Sequence, residues 1–164
     1  MADLTTLDEK LAEVLGLAQA AQTATKKVAT LARKEKETEL TDLMKTMSEQ
    51  ASEIAKRCEV VAGTRNGMRT AINAKARETK AEVGEFMKTY LEDAEALDGL
   101  EFLSMAEAGE TAHWEILGKL NETAKDKDVA GLVKFALPIQ KLHVDAVREQ
   151  SLRLAAAEDP AGIA

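Results

Sequence analysis

The stretch from Asp98 to Leu154 constrains the fold most strongly, because apolar side chains recur in it at helical spacing along two long runs. The first run carries Leu103, Ala106, Leu117 and Leu120, and the second carries Leu132, Ala136, Ile139 and Ala146. Asp126 lies between the runs, where it can cap the second helix. The pattern predicts one helix from Asp98 to about Glu122 and another from Asp126 to about Ala157, joined by a tight turn.

Four polar side chains share the inner faces of these two predicted helices. Glu110 and His113 fall in register with the apolar residues of the first helix, and Gln140 and His143 with those of the second. A carboxylate and two imidazoles in an aliphatic seam must be paired, protonated or bound to a ligand. The sequence therefore predicts a buried polar site between the two helices.

Three further amphipathic helices are predicted, which makes the chain all-α. The first follows a capping box with Thr6 as N-cap and ends near Ala32, and the others span about 40–61 and 68–92. Short connections predict that the first two helices, and likewise the last two, pair as antiparallel hairpins. A 68–92 helix is long enough to travel the length of a bundle between the hairpins. A plain up-down-up-down bundle with a fifth helix packed outside is the alternative.

Composition narrows the class of protein. The 164 residues suit one domain, expected over 1–157, with a frayed tail over 158–164. A formal net charge of −7 argues against a nucleic-acid partner or an anionic membrane surface. No apolar run approaches the roughly 20 residues of a membrane span, and no secretory signal is visible. With Cys58 as the single cysteine, a cytoplasmic location is expected.

The sequence around the polar site resembles a known family. The run Asp93–Asp98 leads into Ala106–Ile116, and this stretch resembles the YciE/YciF branch of the ferritin-like superfamily, whose third bundle helix carries an A-x-x-x-E-H-Y-E-I pattern. The segment from Glu39 to Arg57 is similar to another helix of that family. The likeness extends from about Leu4 to Leu154. It implies a ferritin-like four-helix bundle of two antiparallel hairpins with an additional crossover helix, and a stress-associated role.

The same resemblance implies a metal site and shows where this chain departs from it. Ferritin-like metal proteins take one Glu from each of two helices and Glu-x-x-His from the other two. By that pattern, ligands for iron or manganese would be Glu110, His113, His143, Glu107, Glu53, Gln50 and Gln140. Two of these positions hold Gln instead of Glu, and the first helix offers no inner carboxylate between Leu11 and Ala32. Because amides are weak, uncharged ligands, we expect a reduced, mononuclear or empty site.

Structural roles compete with each of these assignments. His143 can be a hydrogen-bonded core histidine, Glu53 a solvated charge on the flank of its helix, and His113 an edge residue bonded to a neighbouring helix. Trp114 and Cys58 are expected to fill core.

Three functions remain open. The first is a non-catalytic stress-associated or structural protein with a vestigial metal site, which self-associates as a dimer. The second is an iron- or manganese-binding protein with oxidase or peroxide-scavenging activity. The third is an interaction module whose 68–92 helix recognises another helix.

Overall fold

The computed structural model describes residues 3–162, and over this range its regular secondary structure is all helical, which confirms the predicted all-α class. The described residues form five helices: α1 (Thr6–Lys34), α2 (Thr38–Thr64), α3 (Arg69–Tyr90), α4 (Ala96–Ala124) and α5 (Lys127–Ala155). Residues 158–162 lie beyond the last helix and are exposed. None of these helices combines the length and the apolar character that crossing a bilayer requires.

Helices α1 and α2 pack side by side in opposite directions. Gln19 Nε2 donates to Glu59 Oε1 at 3.2 Å, and at the far end of the pair Arg65 Nε lies 3.6 Å from Asp8 Oδ1. Arg65 Nη1 also pairs with Asp126 Oδ2 at 2.5 Å. One guanidinium therefore ties together the start of α1, the end of α2 and the start of α5.

Helices α4 and α5 form the second antiparallel pair. The turn between them holds Lys125 in the left-handed region, with φ of 56°. Asp126 then caps α5, as predicted, because its side chain accepts from the backbone of Asp128 and Val129. The Asn121 side chain closes the turn by bonding both the backbone N–H and the carbonyl of Asp126.

The two pairs also contact each other, α1 against α4 and α2 against α5. Helix α3 packs chiefly against α1 and runs in the same direction. The two backbones approach closely at Gly16, where a Cβ atom would lie 2.4 Å from the carbonyl oxygen of Ala76. One face of the first half of α3, with Ala71, Ile72 and Ala76, is buried, whereas Phe86 and Tyr90 in its second half are about half exposed.

The apolar core consists of two clusters. One surrounds Trp114 and includes Leu11, Ile54 and Leu132. The other surrounds Phe102 and includes Val28 and Met44. Along α4 and α5, the residues between these clusters include the polar side chains expected at the site. The predicted polar layer therefore lies at mid-height, between two aliphatic blocks.

The predicted helix starts need two corrections. The N-cap of α1 is Thr5 rather than Thr6, and its hydroxyl accepts from the Asp8 backbone N–H while donating to the Asp8 carboxylate. Helix α4 begins at Ala96 rather than Asp98, because Glu95 is the N-cap and Asp98 completes a reciprocal capping box. Both shifts are small because several acidic or hydroxyl residues near each start can serve as caps.

Candidate functional site

Five of the seven residues expected at the site come together in the layer between the two apolar clusters, one of them Gln50 of α2. Helix α4 contributes Glu107 and Glu110, which are 1% and 3% exposed, and α5 contributes Gln140 and His143, which are 1% and 4% exposed. Residues three apart on a helix share a face, so both pairs point the same way from their helices. Helix packing thus removes two carboxyl groups and an imidazole from water.

His143 is the centre of the hydrogen-bonded network. Its Nδ1 lies 3.3 Å from Glu107 Oε2, and its Nε2 lies 2.7 Å from Gln50 Oε1 in a hydrogen bond with α2. Gln140 Nε2 donates to the same Glu107 oxygen at 3.5 Å. Both ring nitrogens of His143 therefore face oxygen atoms of other side chains, as expected for a satisfied core histidine.

Glu110 is held less firmly. The indole N–H of Trp114 donates to Glu110 Oε1 at 3.4 Å, which is long for such a bond. Burial and the neighbouring charge of Glu107 raise the pKa of Glu110 well above its ordinary value, while hydrogen bonds from Trp114 and Gln140 act in the opposite direction. The two carboxyl groups thus differ: Glu107 has a histidine partner, and Glu110 is driven toward its neutral form.

Cys58 of α2 is fully buried in the cluster around Trp114, as expected for a core cysteine. Burial raises the pKa of its thiol strongly, and the charges of Glu110 and Glu59 raise it further. A thiol in this environment favours the protonated form, which is the less nucleophilic form.

Two of the expected site residues lie elsewhere. His113 faces α1, where its Nδ1 is 3.1 Å from Glu13 Oε2, and its side chain is 36% exposed. Glu53 pairs with Arg57 of its own helix at 2.8 Å and is about half exposed. Neither residue joins the layer around His143.

Glu13 was missed by the sequence reasoning. Its side chain is only 18% exposed and pairs with both His113 and Lys10. The expectation of no inward carboxylate on the first helix is therefore wrong at the seam between α1 and α4. The available signal was that Glu13 shares a helix face with Leu17, Ala20 and Ala24, which follow it at helical spacing.

The side chains in this layer can be compared with those that a bound metal ion would need. Within residues 3–162, no three His, Cys, Asp or Glu side chains are grouped so that they could hold an ion. Gln50 Oε1 lies along the in-plane direction of His143 Nε2, which is the direction a metal would need. The second ring nitrogen faces Glu107, and Glu110 favours the neutral form. In this arrangement, the residues do not fit a dinuclear centre.

A groove reaches this layer from one side of the molecule. It lies between α1, the second half of α3 and α4, and its volume is about 360 Å³. Glu107 and Glu110 line it, together with mostly apolar side chains. Its lining includes the aromatic ring of Phe86, which is tilted by 43° against the ring of Phe102 with 6.1 Å between the centroids. Helical periodicity alone gave no sign of this groove.

No family model, curated protein or solved structure matches the chain. The ferritin-like resemblance is thus still a prediction drawn from the residues themselves.

Proposed function

We propose that the chain is a ferritin-like four-helix bundle in which α1, α2, α4 and α5 form the bundle and α3 is the crossover helix. The pairwise contacts support this proposal, because α1 packs against α2 and α4 while α5 packs against the same two helices. Helix α3 contacts α1 most extensively and could return the chain to the end at which α2 began. The polar layer then lies in the bundle core, where ferritin-like proteins place their metal ligands.

We infer that this layer is a vestigial metal site and that the protein is non-catalytic, with a structural or stress-associated role. The observation that carries this inference is the double engagement of His143 by Glu107 and Gln50. A ligand histidine keeps one ring nitrogen free for the metal and uses the other for an orienting contact. Here Gln50 takes the position at the nitrogen that a metal would use.

The competing function is iron or manganese binding at a reduced site, which would call on Glu107, Glu110 and His143. Such binding would require Gln50 to swing away from His143 and Glu110 to lose its proton. Bound iron or manganese would supply redox chemistry, which the side chains lack by themselves. The energetic cost of rebuilding this network favours the vestigial site.

Metal loading separates the two functions. The purified protein is incubated anaerobically with Fe(II) or Mn(II), passed through a desalting column and analysed for metal. We expect no stoichiometric retention in the wild type. The matched variants are a Glu110→Ala/His143→Ala double variant and His113→Ala, which changes a histidine outside the layer. Near-stoichiometric metal that is lost in the double variant and kept in His113→Ala would overturn the vestigial-site proposal.

Self-association as a dimer and a cytoplasmic location stay predictions. Exposed apolar side chains on α2 and α5, among them Val60 and Leu142, offer a surface for contact between copies. Light scattering on the wild type and on a Val60→Lys/Leu142→Lys variant tests the dimer, because charges at a buried interface would dissociate it.

A further inference from the structure

The groove between α1, α3 and α4 has the dimensions of a small-molecule site. Its volume of about 360 Å³ falls within the range of roughly 300–1,000 Å³ typical of ligand pockets. Most of its wall is apolar and is contributed by Leu17, Val83, Phe86, Phe102, Leu103 and Met105. Such a wall favours the hydrocarbon part of a ligand.

The packing of α3 explains why the groove exists. At Gly16, the backbones of α1 and α3 are too close for any side chain to separate them. Farther along, α1 lines the groove with Leu17 and then with three alanines, Ala20, Ala21 and Ala24, toward the second half of α3. These methyl groups leave the space unfilled, and Phe86 is left about half exposed at the rim.

The charged groups in the groove carry one sign. Glu107 and Glu110 line it deep in the protein, where each is more than nine-tenths buried, and Glu82 lines it from α3. The lining described contains no lysine or arginine, and its single imidazole, His113, is already paired with Glu13. An anion would meet these acidic groups unfavourably, whereas a cation would compensate the negative charge that Glu110 acquires when it gives up its proton.

We propose that this groove binds a cationic amphiphile, a primary amine whose apolar body lies along α3 and whose ammonium group reaches Glu107 and Glu110. An ammonium group supplies three donors, and Glu110 has unused accepting capacity because its bond from Trp114 is long. A bare metal ion gains nothing from the apolar wall, whereas an alkylamine uses both the wall and the carboxylates. The inference does not depend on whether the polar layer once held a metal.

Three ligands of equal chain length test whether the groove recognises a cationic head group: decylamine, decanol and decanoate. Trp114 is the only tryptophan and bonds directly to Glu110, so its fluorescence reports on events at the carboxylates, and calorimetry gives the affinity. We expect saturable 1:1 binding of decylamine, about tenfold weaker binding of decanol, and no binding of decanoate. Glu110→Gln keeps the shape of the side chain but cannot give up a proton to balance a bound ammonium group. In this variant the difference in affinity between decylamine and decanol should therefore become smaller.

Two glycine variants test the location. Gly109 lines the groove and a Cβ atom there meets no other atom within 4 Å, so we expect the larger side chain of Gly109→Leu to extend into the groove. Gly131 on α5 is equally open but lies outside the groove, and Gly131→Leu is therefore the matched control. We expect Gly109→Leu to abolish amine binding and Gly131→Leu to retain it.

Several results would overturn the proposal. Equal affinity for decylamine and decanol would mean that the carboxylates do not recognise the head group. Equal loss of binding in both glycine variants would place the amine elsewhere. Absence of saturable decylamine binding in the wild type would also overturn it. If the wild type were then a dimer that Gly109→Leu dissociates, the groove would be assigned to a second copy of the chain.

Discussion

Replacing Glu110 by Gln should stabilise the protein at neutral pH, although it removes a charged residue. The side chain is 3% exposed, and burial together with the charge of Glu107 raises its pKa well above the ordinary value of 4.5. Gln has nearly the same shape and can still accept a hydrogen bond from Trp114. The substitution therefore removes one proton equilibrium and leaves the packing almost unchanged.

The sign of the effect follows from proton binding in the two states. Above pH 4.5 the carboxyl group of the unfolded chain loses its proton, whereas the folded chain retains it. The contribution of Glu110 to stability is fully present below pH 4.5 and is lost as the pH rises toward the folded pKa. Each pH unit of this window lowers the free energy of unfolding by about 1.4 kcal/mol relative to Glu110→Gln. At a typical urea m-value, this shifts the unfolding midpoint by about half a molar per pH unit.

The assay is urea unfolding followed by helical circular dichroism at several values between about pH 5 and pH 8. The difference between wild type and variant reports on the carboxyl group of Glu110 and its interaction with Glu107, because every other ionisable residue is present in both proteins. Glu115→Gln on the same helix is the control, since Glu115 is about half exposed and pairs only with Lys141 in this structure. Parallel stability curves for the wild type and Glu110→Gln would refute the reasoning, because they would mean that the carboxyl group ionises in the folded protein as easily as in water.

Five other substitutions, which give three further predictions, have directions fixed by the structure, and urea unfolding measures each of them. Gly16→Ala should destabilise by about 1–3 kcal/mol because its Cβ meets the α3 backbone, whereas Gly84→Ala, with open space around it, should stabilise by about 0.5–1 kcal/mol. Equal changes in stability for the two glycine variants would disprove the close approach of the α1 and α3 backbones at Gly16. Arg65→Met should cost about 2 kcal/mol near neutral pH. Its cost should shrink as acid protonates the aspartate partner, whose pKa the guanidinium lowers from 3.8. His143→Ala should lower the free energy of unfolding by about 3–5 kcal/mol, because it leaves a buried carboxylate unpaired. His113→Ala should lower it by less than about 1 kcal/mol. Equal losses of stability in the two variants would mean that His143 is not the centre of the buried network.

Helix content was predictable because the apolar residues follow one period over long runs. For α4, the predicted span of Asp98 to about Glu122 lies within the observed Ala96–Ala124. The errors at the helix starts have a local cause: Thr5 and Thr6 are chemically equivalent caps, and only the backbone geometry selects between them. The arrangement of the helices is a tertiary property, and periodicity does not determine which faces meet.

The same distinction applies to the site residues: helical periodicity predicts which side chains point inward, but not which neighbouring helix they contact. Glu110, Gln140 and His143 were predictable because each falls in register with apolar neighbours that must point inward. His113 lies only three residues after Glu110, yet the small angular difference turns it toward α1 rather than α5. The partner at that edge, Glu13, belongs to a helix about a hundred positions earlier in the chain. Choosing between two neighbouring helices requires the packed structure.

The polar layer also has a role that needs no metal. It separates two aliphatic clusters that would otherwise form one continuous and uniform seam. Sliding α5 along α4 by one turn would move His143 away from Glu107 and leave a carboxylate facing aliphatic side chains, at a cost of several kcal/mol. A layer of apolar residues alone would pack well in either register, so the shifted register would carry no cost in free energy. The network around His143 therefore selects one register of the helices, and Glu110, which is the member with the weakest partner, is left to face the groove. A layer kept for register can thus supply the charge that a bound amine would use.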